Sequence, residues 1–242
     1  MIIDSQKFNI FKKFYTNNKK SFKMNLVWQR ARSDSQKSQR RGALLDAASR
    51  LLYRLPIDEI SLNAIAREAN ISKANVYRYF ESREDLFLQL TLEALGKWRE
   101  VLLKRLRRLE GTNDANSIAD VLVSTTLENE IFSRLISVLT TVFERNVSTD
   151  VVVKFKQSFF KDLQLVFDAV GCVLTDLNED QVKHLMGVTY FQIVGLWPAS
   201  HPVPEVEVAL NLPELSHFRV DFEQSLRRTI IVTIAGLRSK IE

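Results

Sequence analysis

Apolar positions recur at helical spacing along most of this 242-residue chain, and no strand is predicted from it. Ala43, Leu44, Ala47, Ala48, Leu51, Leu52 and Leu55 form one stripe, which predicts a first helix from Ser38 to Leu55. Leu62, Ile65, Ala66 and Ala69 form a second, with Ser61 placed as its N-cap and Asn70 as the residue that turns left-handed at its end. Ser72 is placed to cap a short third helix, Lys73 to Tyr79, in which only Val76 and the following Phe80 are free to point inward. Ser82 then opens a long helix to about Leu109, with Leu86, Leu90, Leu95, Trp98, Leu102 and Leu106 on its inner face. Further helical stretches are predicted at about 114–127, 130–145, 148–171, 178–195 and 215–238. Pro198, Pro202, Pro204 and Pro213 mark one long irregular connection before the last of these. The predicted fold class is all-α.

The helix from Lys73 to Tyr79 is the odd one out. It shows solvent Lys73, Asn75, Tyr77, Arg78 and Tyr79, a set poorly suited to a core. Cations, amides and phenols on a short helix behind a tight turn suit a groove lined with base edges and phosphates.

At Ile65, Ala66, Ala69, Asn70, Ile71, Ser72, Val76, Tyr77, Tyr79, Phe80, Ser82, Arg83, Glu84 and Leu86 the chain resembles the DNA-binding domain of the tetracycline-repressor family of bacterial transcription regulators. The resemblance extends back through Arg40 to Leu52, the family's first helix, and covers about 50 residues strongly. Asn70 stands where the family usually has Gly, a mild change because Asn tolerates the left-handed region. Pro56 replaces another Gly in the turn after the first helix. The bland alternative is an ordinary helical subdomain with a solvated charged face; the number of matches at fixed offsets favours DNA binding.

The resemblance implies a helix-turn-helix DNA-binding domain over 38–84, preceded by a basic tail at 1–37 expected to be disordered. A helical effector-binding and dimerisation domain would occupy 85–242. It also implies that Ser61, Ser72, Tyr77, Tyr79 and Arg83 meet phosphates. Lys73, Asn75 and Asn63 are the candidates for base edges, since amides and cations pair with adenine and guanine. The expected partners are double-stranded DNA carrying a palindromic operator, a second copy of the chain and a small-molecule effector.

Charge changes the picture at one end. The net charge is +5, but residues 1–42 alone carry +9, leaving −4 for the remainder. That basic field, which includes Arg40 and Arg41 among the expected DNA contacts, would release counterions from a phosphate backbone. A solvated tail is the alternative for residues 1–23, and Met24 offers a second candidate start. No run approaches the ~18–20 apolar residues of a membrane span, and the single cysteine, Cys172, excludes an intrachain disulfide. It reads as an inert packed thiol in a cytoplasmic protein.

The sequence offers no Gly-rich phosphate loop, metal-spaced Cys/His set or nucleophile elbow, so neither an enzyme nor a cofactor or metal site is expected. The C-terminal half is rich in rings, most of them expected simply to be core. The resemblance nonetheless implies an effector pocket, for which Phe143, Phe167, His184, Tyr190, Phe191 and Trp197 are the candidates. His184, Tyr190 and Trp197 stand out because each has a polar atom that wants a partner when buried. The last helix is apolar nearly all round between Thr229 and Leu237 and must be covered on both sides. A dimer interface is therefore expected on the last two helices, at Tyr190, Ile230, Ile234 and Leu237. These readings converge on a homodimeric repressor released by a small apolar or amphipathic effector. The rival is a DNA-bound adaptor that recruits a partner protein and senses no ligand.

Overall fold

The computed structural model describes residues 36–239, and the expectations for the basic tail lie almost wholly outside them. Among the described residues there are only helices and turns. Helix α1 spans 36–52 and buries Leu44, Leu45, Ala47, Ala48, Leu51 and Leu52. It stops three residues short of the predicted end because Pro56 disfavours helical backbone at Leu55. The amides of Arg54 and Leu55 both donate to the carbonyl of Leu51, closing the chain into a turn. A 3-10 turn, Ile57–Glu59, leads into α2, Leu62–Glu68.

The predicted cap at Ser61 forms, its hydroxyl accepting the Ala64 N–H at 3.1 Å. Asn70 takes the left-handed conformation, φ 54°, that ends α2. Helix α3, Lys73–Val76, is a single turn, and residues 77–79 continue as a turn rather than as helix. Ser72 has the extended backbone of a cap but makes no capping hydrogen bond, which corrects the expectation for its side chain. Val76 and Phe80 are buried, as their inward placement requires.

Helix α4, Arg83–Leu106, is the spine of the molecule. The Ser82 hydroxyl accepts the Asp85 N–H at 3.0 Å, and the Asp85 carboxylate accepts the Glu81 N–H at 3.0 Å, so two orphan donors are satisfied reciprocally. The remaining helices are α5 (Ala115–Glu128), α6 (Glu130–Ser137), α7 (Thr149–Val173), α8 (Glu179–Ser200), α9 (Pro204–Leu210) and α10 (Phe222–Arg238). Of these, α5, α6 and α7 pack on α4, while α8 packs on α6, α7 and α10.

Other boundaries also differ from prediction. α6 ends at Ser137 instead of 145, where the β-branched Val138, Thr140, Thr141 and Val142 weaken helical preference. α8 runs on to Ser200 with Pro198 inside its last turn, where only one intrahelical bond is lost. The supposed irregular connection contains α9, for which Pro204 supplies the preset φ of a first helical position. α10 consequently starts at Phe222, capped by Asp221 accepting the Gln224 N–H at 2.9 Å.

Ile230 and Ile234 are buried within the protein's own core, where α10 meets α8 and α5. They are therefore unavailable to a second copy, contrary to expectation. Leu237 is half-buried, and its carbonyl accepts the Gln181 side chain at 2.7 Å. Cys172, expected to be packed, is exposed. No helix among the described residues is long and apolar enough to cross a membrane.

Candidate nucleic-acid interface and apolar cavity

The turn between α2 and α3 holds a compact head. Ile65, Ala66, Val76 and Phe80 are buried in its core with Leu44, Leu45 and Leu86, so α3 is backed by apolar side chains. Ser61, Asn63, Ser72, Lys73 and Tyr77 are exposed, and Asn75 and Tyr79 are half-buried. Tyr79 packs against the core, which leaves it an edge rather than a free side chain. Arg78, read as part of the outward face of this helix though given no contact of its own, is exposed in the turn after α3 and belongs with this group. Its position in the run Tyr77-Arg78-Tyr79 was the available signal. Among the described residues neither Lys73 nor Arg78 has an ion-pair partner, whereas Arg50 and Arg54 are both held by Glu68, at 2.9 and 2.8 Å. Among the described residues, Lys73 and Arg78 thus stand at α3 without an ion pair, while Arg50 and Arg54 behind it are paired.

Two expected DNA contacts are committed elsewhere. Arg83 donates to the carbonyls of Ile60 at 3.2 Å and Ile57 at 3.5 Å and pairs with Glu84 at 2.9 Å. Its guanidinium also lies 5.6 Å from the centre of the Phe87 ring. Arg41 donates to Gln89 at 2.7 Å and stacks over Phe80 at 5.5 Å. Both act as clamps between α4 and the head. Arg40 is exposed.

A second feature lies further along α4. A cavity of about 580 Å³ is bounded by Trp98 of α4, Phe132 and Ile136 of α6, Phe159, Phe160, Leu163 and Phe167 of α7, and Met186, Gly187, Tyr190 and Phe191 of α8. Its volume falls within the range of small-molecule sites. Lys156, Gln164, Lys183 and Thr140 supply a few polar groups among these apolar walls. Lys156 is paired with Glu144 at 2.5 Å, and Lys183 with Glu179 at 2.6 Å. Burial, assisted by the nearby Glu144 charge, pushes the Tyr190 phenol above its ordinary range and keeps it a donor.

Three of the six expected pocket residues line this cavity, namely Phe167, Tyr190 and Phe191. The other three do not. Phe143 is fully buried and stacks on Phe87 at 5.0 Å, so it belongs to the core beneath the head. His184 is exposed: Lys183, Met186, Gly187 and Tyr190 follow helical spacing along one face, and His184 lies a step round from it. Trp197 lies in the seam between α8 and α10, stacked on His201 at 4.0 Å and edge-on to Phe222 at 5.3 Å. Trp98 and Phe132, stacked at 5.1 Å, were not singled out as pocket residues, and nothing local distinguished them from core.

Two family models match the chain. One, described as bacterial regulatory proteins of the tetR family, covers residues 44–90; the other, a tetracyclin repressor-like C-terminal domain, covers 92–241. An uncharacterized HTH-type transcriptional regulator of Mycobacterium tuberculosis is 41% identical over 64 residues, which is 25% of this chain and 31% of that protein. The match thus spans about a third of the length of the curated relatives. Among solved structures, a putative transcriptional regulator from Rhodococcus sp. RHA1 aligns with a TM-score of 0.55 at 15% identity, covering 82% of this chain and 95% of that one. The fatty acid degradation regulator FadR of Bacillus halodurans aligns at 0.53 with 15% identity, over 83% and 97%. FadR of Thermus thermophilus, a repressor solved in complex with lauroyl-CoA, aligns at 0.53 with 16% identity, over 84% and 97%. At such identities these structures speak for the shared fold.

Proposed function

The chain belongs to the tetracycline-repressor family, as a transcription regulator with a helix-turn-helix DNA-binding domain, and from that premise we propose that it is a homodimeric repressor released by a small amphipathic effector. The observation that carries this reading is α4. Its first turn is cemented into the DNA-reading head, and Trp98, roughly 22 Å further along at 1.5 Å per residue, forms part of the cavity wall. One rigid element therefore touches both sites.

Lys73, Asn75, Tyr77 and Arg78 are assigned to DNA, with Ser61, Asn63, Ser72 and Tyr79 at the margins. Arg83 and Arg41 hold the head in shape. The effector is assigned an apolar body, matched to the phenylalanine walls, and a polar end directed toward Tyr190, Lys156 or Lys183. The lauroyl-CoA held by the Thermus thermophilus neighbour has that divided character. A cavity of this size supports sensing over the adaptor reading, which calls for an exposed patch and no pocket. The dimer is assigned to the outer flanks of α8 and α10, which expose Phe191 and Val232, 71% and 61% accessible.

The effector must bind the DNA-incompetent state better, because equal affinity for both states shifts nothing. A ~100-fold loss of operator affinity corresponds to roughly 2.7 kcal/mol of differential binding. The test is sedimentation of the full chain with its selected operator, followed by titration with medium-chain alkyl acids and alcohols. Two chains per site, and release by a compound that also raises the melting temperature, are expected. A monomer on DNA, or binding indifferent to every compound that stabilises the protein, contradicts the reading.

A further inference from the structure

Besides α4 itself, two polar ties join the head to the larger domain. On one side the Glu81 carboxylate accepts the Ser148 N–H at 2.7 Å and its hydroxyl at 3.0 Å, gripping the N-terminus of α7. On the other, Arg134 of α6 reaches the end of α1. Its guanidinium donates to the carbonyl of Leu52 and, at 3.0 Å, to that of Leu55. These carbonyls close α1 and the turn after it, where no intrahelical partner is available. The two atoms lie in the head, 82 and 79 residues before Arg134 in sequence.

The Arg134 tie differs from the Glu81 tie in where it is anchored. α6 is only eight residues long, and the residues two before and two after Arg134, Phe132 and Ile136, both line the cavity. Its N-terminus is pinned to α4 by the Asn129 side chain, which donates to the Ala94 carbonyl at 3.1 Å. This two-turn helix therefore carries cavity-wall residues and the arginine that grips α1 within one short rigid element. Ser148, by contrast, is exposed and caps α7 eight residues before Lys156, the first residue of that helix to line the cavity.

We propose that Arg134 is a positioning residue that sets the angle of the DNA-reading head and transmits cavity occupancy to it through the end of α1. This rests on the effector reading above and names the route by which that site is read. A planar fork spanning two carbonyls is sensitive to small displacements of its helix, which a single flexible charge is not.

Gly187 provides an occupant of known position. It lines the cavity, and a Cβ built on it meets nothing within 4 Å, so Gly187→Phe places a ring in that space. The experiment compares operator affinity, by fluorescence anisotropy on the full chain, for wild type, Gly187→Phe, Arg134→Gln and the double variant. Filling the cavity should weaken operator binding roughly tenfold in the wild-type background. With Arg134→Gln the same filling should change affinity by no more than ~twofold, a departure from additivity well beyond the ~twofold scatter of independent sites. Arg134→Lys, which keeps the charge and loses the fork, should behave like Arg134→Gln and decides the question if the latter does not fold. An undiminished tenfold effect in both Arg134 backgrounds overturns this route and leaves the effector reading standing. No effect of Gly187→Phe in the wild type overturns both.

Discussion

The guanidinium of Arg83 lies 3.2 Å from the carbonyl oxygen of Ile60, across the 23 residues that contain the whole helix-turn-helix. A cation expected to meet phosphate instead bolts the start of α4 to the end of the turn before α2. Arg83→Ala should therefore lower stability by about 1–2 kcal/mol, below the full value of charged hydrogen bonds because about a fifth of the side chain is exposed. Thermal melts should show this loss, and at low temperature, where the head stays folded, the salt dependence of operator binding should be unchanged.

The exposed set at α3 should separate into two behaviours. Lys73→Ala should weaken binding to all sequences alike and reduce the salt slope by about 1, as for a lost phosphate contact. Asn75→Ala should relax discrimination at one base pair by ~1–3 kcal/mol while leaving that slope intact. Binding curves on operator and scrambled DNA at several salt concentrations distinguish the two.

Ile234 and Val232 sit two residues apart on α10 and face opposite fates. Ile234 is fully buried, so Ile234→Asp puts an unpaired charge in the core and should abolish cooperative melting by circular dichroism. Val232 is 61% exposed. Val232→Asp should keep the fold and shift sedimentation from dimer toward monomer.

Asp85 links stability to pH. Burial, its first cause, raises the Asp85 carboxyl above its ordinary value despite the hydrogen bond from the Glu81 amide. The folded state thus holds this proton more tightly than the unfolded chain. Its contribution to stability is greatest below the unfolded value and is lost as pH rises through the folded one. Asp85→Asn keeps an oxygen for the Glu81 amide without the buried charge. Its melting temperature should equal or exceed wild type at neutral pH, and the gap should close as the pH falls through the raised Asp85 value.

What was legible in the sequence was local. The caps at Ser61 and Ser82, the left-handed Asn70 and the inward Val76 and Phe80 each depend on neighbours within a few residues, and spacing alone places them. The cavity depends on which flank of α8 turns toward α6 and α7. One helical step decides between Lys183 on its wall and His184 in solvent, and nothing in α8 alone encodes that choice. The same limit explains Trp197, whose polar atom suggested a pocket but whose ring fills the α8–α10 seam. The apolar run in α10 signalled two covered sides, yet its branched residues could not say which side the protein's own core takes.

The most direct test is selection of bound DNA from a random pool, run in parallel with wild type and with a Lys73→Ala, Asn75→Ala, Tyr77→Ala triple variant. All three side chains are solvent-facing or half-buried, so the variant should fold with an unchanged melt. The wild type should enrich a palindrome whose half-sites are about one helical turn, or a multiple, apart, and the variant should enrich nothing. Recovery of the same palindrome by the folded triple variant would contradict the assignment of sequence reading to α3.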